Sequence, residues 1–205
     1  MSMRWTALAL VCVLGSTGCE DEQTPPEPAA EPAAPSADRA AEAQVLERTR
    51  GAAKKLGGTL KARLRKAMGE GGPPQAIDVC ADEAQALTHR VAEETGVQVG
   101  RSSLRLRNPD NAPPDWVEAW LREKGERPAE GVQGVARVDD VAGEKRARVI
   151  APIAVEGPCV SCHGPREDLP ESVVQVLERE YPQDQAVGYA VGDLRGALWA
   201  EAPVP

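Results

Sequence analysis

The chain has no phenylalanine, and among its 205 residues there are only four tryptophans, two tyrosines and two histidines. A domain of that size has a poor aromatic supply for its core, and a bound prosthetic group would supply part of the missing apolar volume. Positive charge is also scarce. Lys and Arg number 24 against 32 Asp and Glu, a net charge of −8. That balance argues against nucleic acid or an anionic membrane surface as a partner attracted through the field of the protein. The leading apolar stretch, Trp5 to Gly15, is 11 residues long, well short of the roughly 20 that a membrane-spanning helix needs.

That stretch follows the short basic segment Met1-Ser2-Met3-Arg4 and has the layout of a secretory signal. Ser16-Thr17-Gly18-Cys19 then resembles a bacterial lipobox, although Ser16 stands where an aliphatic residue is usual. Residues 1–19 are accordingly expected to direct export, and Cys19 to carry a lipid anchor that holds the protein on the periplasmic side of a bacterial membrane. Their removal takes away Arg4 and no acid, leaving 23 basic against 32 acidic residues, about −9. Residues 20–38 are mostly Pro, Ala and Glu, with Asp, Gln, Ser and Thr, and hold no aliphatic side chain larger than Ala. Such a segment buries too little to offset ordering entropy and reads as a disordered tether. Residues 39–205 are the size of one domain.

Within that domain Val45, Thr49, Ala52, Leu56, Leu60, Leu64 and Met68 recur at helical spacing. Gly57-Gly58 weakens the helix by about 1 kcal/mol per glycine, and Gly71-Gly72-Pro73-Pro74 stops it. Ile77, Cys80, Ala84, Leu87 and Val91 mark a second helix ended by Gly96, packed antiparallel to the first. Val97 and Val99 alternate, then Leu104 and Leu106 in opposite phase, which predicts a strand with a bulge near Arg101–Ser103. A short helix carries Trp116 and Trp120. Residues 132–138 and 146–155 form paired strands, 169–180 a helix, and Val187 to Val191 and Ala197 to Trp199 one or two closing strands. The pattern is α+β with a small antiparallel sheet.

Of five cysteines, Cys12 lies in the leader core and Cys19 at the lipobox, leaving Cys80, Cys159 and Cys162. Cys159-Val160-Ser161-Cys162-His163 is the attachment spacing of a c-type haem. Two thiols add to the two vinyl groups of the porphyrin, and the adjacent His163 supplies an axial ligand to iron. Zinc held by Cys159, Cys162, Cys80 and His89 is the weaker alternative, because adjacent Cys162 and His163 do not easily share one tetrahedral ion. A redox disulfide normally opens a helix after a strand, whereas here Gly164-Pro165 follows at once. For the second axial position, His89 lies nine residues beyond Cys80, which turns it to the polar side of the helix beside Arg90 and Glu93. Cys80, Met68 and an open site remain.

The runs from Ala76 to Cys80, Gly100 to Asn111, Pro158 to Gly164, Tyr181 to Tyr189 and Gly192 to Ala197, in that order, resemble the DUF3365 family, the Tll0287-like c-type haem domain. The resemblance implies a PAS-like antiparallel sheet with N-terminal helices and a haem-bearing loop. It also implies an axial pair of histidine and cysteine, which by position are His163 and Cys80. Family members serve as extracytoplasmic sensor parts of signalling proteins; this chain runs to Pro205 without an output module, so a signal would pass through an envelope partner.

Two functions follow from these expectations: redox or small-ligand sensing, with Cys80 as a displaceable thiolate, or electron transfer by a tethered cytochrome. An enzyme such as a peroxidase needs a distal acid–base group, and with His163 on iron and His89 facing away none is evident. Arg101, Arg107 and Arg148 are candidate partners for the haem propionates.

Overall fold

The computed structural model describes residues 36–125 and 128–205; the leader, Cys12, Cys19 and the tether as far as residue 35 lie outside the described residues. Helix α1 spans Ala37–Asp82, with Ser36 as its N-cap. It thus starts two residues ahead of the expected domain boundary at 39. Gly71 and Gly72 interrupt it: Gly72 has φ +70° and ψ −162°, a conformation that favours glycine. Pro73 and Pro74 then open a second arm, where a missing N–H costs little. A further break at Glu83 separates that arm from α2, Ala84–Thr95, which ends on Gly96 in the left-handed conformation. Ion pairs from Arg63 to Glu83 and from Lys55 to Glu94 show the expected antiparallel course. One expectation needs correction. Cys80 and His89 lie on different helical segments, so the nine-step phase count does not run through one continuous helix; His89 is nonetheless exposed.

The four strands are β1 (Gln98–Ser102), β2 (Val135–Val141), β3 (Glu144–Ala154) and β4 (Leu194–Pro203). They form one antiparallel sheet in the order β1-β4-β3-β2. The predicted hairpin is β2–β3, turned by Ala142 and Gly143 with φ of 55° and 85°. The predicted bulge is elsewhere. β1 simply stops at Ser102, Leu104 and Leu106 belong to the loop after it, and the irregular step falls between Ile153 and Ala154 in the β3–β4 ladder. Val187 to Val191 is not a strand but an irregular segment, with Gly188 at φ 78° and a turn at Val191.

The first arm of α1 covers one face of the sheet. Val45, Ala52, Ala53 and Leu56 pack with Val99, Ala147, Val149, Ala200 and Ala202. Small side chains let helix and sheet approach closely: a Cβ on Gly57 would stand 2.7 Å from Leu198 Cδ1. This is how a domain without phenylalanine fills its core. The apolar stripe holds to Leu56, then slips, so that Ala67 is buried while Leu64 is 37 % exposed. Helix α3 (Asp115–Lys124) packs through Val117, Trp120 and Leu121 with Ile150, Leu194 and Ala197, and Trp116 meets Trp199 edge-on at 6.3 Å. A separate cluster joins Ile77 of α1's second arm to the later helix over Glu171–Glu180 and to Tyr181, with Cys162 at its edge. No helix among the described residues is long and apolar enough to cross a membrane.

Candidate cofactor site

The Cys motif stands between β3 and the Glu171–Glu180 helix, which the site's own one-turn helix makes the fifth. Gly157–Cys159 forms a 3-10 turn, helix α4 is the single turn Val160–His163, and α5 is Glu171–Glu180. Gly164 must follow His163 without a side chain, because a Cβ there would lie 2.6 Å from the Val160 carbonyl oxygen. The irregular segment after α5 runs beside this turn. Tyr189 N–H donates to His163 O at 2.9 Å and Gly188 N–H to Gly164 O at 2.7 Å.

Arg107 fastens the two together. Its Nε donates to Asp184 Oδ2 at 3.0 Å, and its Nη2 donates to the carbonyls of Cys162 and Ala186. Asp184 in turn accepts the Ala186 N–H at 2.8 Å. Arg107 and Asp184 are 11 % and 3 % exposed, so the pair is dry enough for its loss to matter.

The payoff of this clamp is the state of His163. Ala186 O lies 2.6 Å from His163 Nδ1. Burial first, then Arg107, Arg195 and Arg101, hold the imidazole well below its ordinary pKa, with the Ala186 carbonyl acting in the opposite sense. The ring is therefore neutral near pH 7, its proton sits on Nδ1, and Nε2 presents a lone pair. Cys159 and Cys162 are free, half-buried thiols, and Glu156 N–H donates to Cys159 Sγ at 3.3 Å. Burial pushes the Cys162 thiol up to about 11, with Arg107 opposing. Tyr181, likewise buried, is pushed up to about 12.

A model of the Tll0287-like family matches residues 32–203. The chain belongs to the Tll0287-like family. Among solved structures it is similar to that of the cyanobacterial haem protein Tll0287, with a TM-score of 0.54 and 24 % identity over 78 % of this chain and 93 % of that one. The shared architecture is α+β. No curated protein matches the chain in sequence.

Within this Tll0287-like fold, Cys80 comes to the Cys motif from α1's second arm. It is half-buried and close enough to Cys162, Tyr181 and Arg63 to bear on the charge of each. Met68 instead packs with Ala67, Ala76 and Val79. No group of three or more His, Cys, Asp or Glu side chains among the described residues is placed to hold a metal ion.

The arginines divide. Arg107 is the clamp just described. Arg148 pairs with Glu201 and Asp139 across the sheet and lies over Trp116 at 4.9 Å. Both guanidiniums already pair with carboxylates inside the protein. Arg101 alone of the three has no side-chain hydrogen bond or ion pair among the described residues. Four residues of the site were missed in the sequence: Asp184, Tyr189, Arg105 and Arg195. Arg105 lies 3.8 Å and Arg195 5.3 Å over the Tyr189 ring, which itself meets His163 edge-on. Their signal was there, since all four fall inside the runs that carry the family resemblance.

Proposed function

We propose that this protein holds one haem c, attached through Cys159 and Cys162, with His163 and Cys80 as the axial pair, and that it serves redox or small-ligand sensing in the cell envelope. The observation that carries the reading is His163: a half-buried, neutral imidazole with Nδ1 bonded to Ala186 O and Nε2 left for iron, next to a free thiol. The apolar surroundings fit as well. Cys162 packs at the edge of the cluster of Ile77, Leu169, Val173, Leu177 and Tyr181, and Cys159 beside Val155 and Tyr189. Family membership supports the same cofactor.

When bound, haem supplies an iron that cycles between ferric and ferrous and takes two axial ligands. The chain's own groups do the rest. Cys159 and Cys162 hold the porphyrin edge, the Ala186 carbonyl orients His163, and Arg107 keeps that carbonyl in place. Cys80 stands two residues before the end of α1, on a short arm between the bends at Gly72 and Glu83. Release of its sulfur would let that arm shift against α5, where Ile77 meets Leu177. The same site suits a tethered electron carrier, with Cys80 a fixed ligand. In either role the protein is not an enzyme, is lipid-anchored through Cys19, and acts through an envelope partner and not through nucleic acid.

Full-length protein matured with a c-type haem apparatus tests the proposal. One covalent haem per chain is expected by mass and by the pyridine haemochrome, and none in Cys159→Ser/Cys162→Ser. Cys80→Ala should change the ferric optical and EPR spectra; an unchanged low-spin signal removes Cys80 from the iron. Carbon monoxide or nitric oxide should alter the ferrous spectrum of a sensor and leave that of a carrier untouched.

A further inference from the structure

The described part of the site carries more positive charge than it neutralises. Arg101 enters from β1, where it pairs across the ladder with Leu198 of β4, and Arg195 enters from the start of that same strand. Arg195 lies 5.3 Å over the Tyr189 ring, which meets His163 edge-on, and Arg101 stands two residues before Ser103, whose hydroxyl accepts from Arg195; each guanidinium also bears electrostatically on His163. The carboxylate that reaches this group, Asp184, is bonded to Arg107. Arg195 Nη1 donates to Ser103 Oγ at 2.7 Å and to the Arg105 carbonyl, which are neutral acceptors, and Arg195 has no ion pair among the described residues. The Arg101 side chain has neither a hydrogen bond nor an ion pair among the described residues.

Guanidiniums gathered this way are costly. Burial and the neighbouring arginines both act against the charge on Arg195, and buried charges are ordinarily paired. In a protein with a net charge of −8 the gathering is also against the grain of the composition. A dianion placed between them would relieve both costs, and carboxylates match the planar fork of arginine.

We infer that Arg101 and Arg195 form a carboxylate-binding cradle beside His163 that takes the two haem propionates, with Arg195 in the place the sequence assigned to Arg107 and Arg148. The inference rests on the haem reading above. The cradle sets which porphyrins the site admits: it selects free propionates and rejects their esters. It also places two positive charges near the iron, which favours the ferrous form and raises the reduction potential.

The test uses the full chain carrying Cys159→Ser/Cys162→Ser, so that porphyrin binding is reversible, titrated with haem and with haem dimethyl ester. Haem should bind at least tenfold more tightly than the ester. The preference should shrink in Arg101→Gln, which sacrifices no internal hydrogen bond, and in Arg195→Gln, and should survive in Arg148→Gln. Equal affinity for the two porphyrins overturns the cradle while leaving haem binding intact. Binding of neither porphyrin overturns the haem reading itself, together with the cradle. In the covalently loaded protein both Arg101→Gln and Arg195→Gln should lower the reduction potential. If loaded wild-type protein still takes up inorganic phosphate and loses it in Arg101→Gln, the arginines serve a free oxyanion and the propionate assignment falls.

Discussion

The first arm of α1 and the loop around the Cys motif are held by different forces. Along α1, Val45, Ala52, Ala53 and Leu56 meet the sheet through short apolar side chains repeated every three or four residues. Around the motif there is one turn of helix, and the work of shaping is done by arginines reaching across the chain. Arg107 bonds a carbonyl 55 residues away and Arg105 one 82 residues away. The difference teaches that the scaffold is built from area and the site from a few buried polar bonds. Damage to the first should lower stability without altering the site, and damage to the second should do both.

The largest expected effect separates them. Arg107→Leu leaves Asp184, 3 % exposed, without its cation and strips a donor from the Cys162 and Ala186 carbonyls. Breaking a buried pair from one side costs about 3–5 kcal/mol, read by urea denaturation. Because Ala186 also orients His163, the haem spectrum of this variant should change. A loss under about 1 kcal/mol with an unaltered spectrum would show the clamp to be incidental.

Leu56→Ala probes the other region. Leu56 is fully buried against the sheet, and truncation of such a side chain costs about 2–5 kcal/mol. The spectrum of the loaded protein should not move. If it does, the two regions are coupled through α1 and the contrast between them fails.

A smaller pair of effects sharpens the description of the helix itself. Gly57 and Gly58 are adjacent, yet a Cβ on Gly58 meets nothing within 4 Å whereas one on Gly57 would press on Leu198 at 2.7 Å. Gly58→Ala should therefore raise stability by about 1 kcal/mol. Gly57→Ala should gain less or lose, since the same propensity term is set against a contact that must shift. Melting temperatures of the two variants, measured side by side, decide it; equal gains would mean that helix and sheet are looser than the close approach implies.

The same contrast explains what could be read in the sequence. Period and punctuation disclosed the helix pair, the break at Gly71–Gly72, the β2–β3 hairpin and α5, because each depends on neighbours close in the chain. The motif Cys159-Val160-Ser161-Cys162-His163 was legible for the same reason. The clamp was not: nothing local in Arg107 distinguishes it from Arg148, and only the fold shows that each already has an anion. The missing strand at Val187–Val191 follows from this too. That segment alternates like a strand, but its backbone bonds go to His163 and Gly164 instead of a sheet neighbour. Cys80 is an intermediate case. Its burial phase was readable, while its approach to Cys162 depends on the break of α1 at Gly71–Gly72, whose direction in space periodicity does not give.

The smallest effect lies where the two regions join. Arg63, on the first arm, holds Glu83 with Nε and Nη2 at 2.7 and 2.6 Å, just beyond the turn that carries Cys80. The hydrogen bond from Arg63 holds the Glu83 carboxyl below its ordinary value of 4.5, against a smaller opposing effect of burial. A depressed carboxyl stabilises the fold fully above its unfolded pKa and loses that contribution as pH falls through the folded one. Wild-type protein should thus lose melting temperature more steeply than Glu83→Gln between about pH 5 and 3. The gap should be slight and should narrow in about 1 M salt, since Glu83 is 42 % exposed and the pair is screened. Glu94 and Glu156 are depressed by Lys55 and Lys61 in the same sense, so only the difference between the two proteins isolates this bond. Should the loaded spectrum of Glu83→Gln also depart from wild type at neutral pH, the ion pair would position Cys80 as well as brace the helices, and the boundary between scaffold and site would have to be drawn through Arg63.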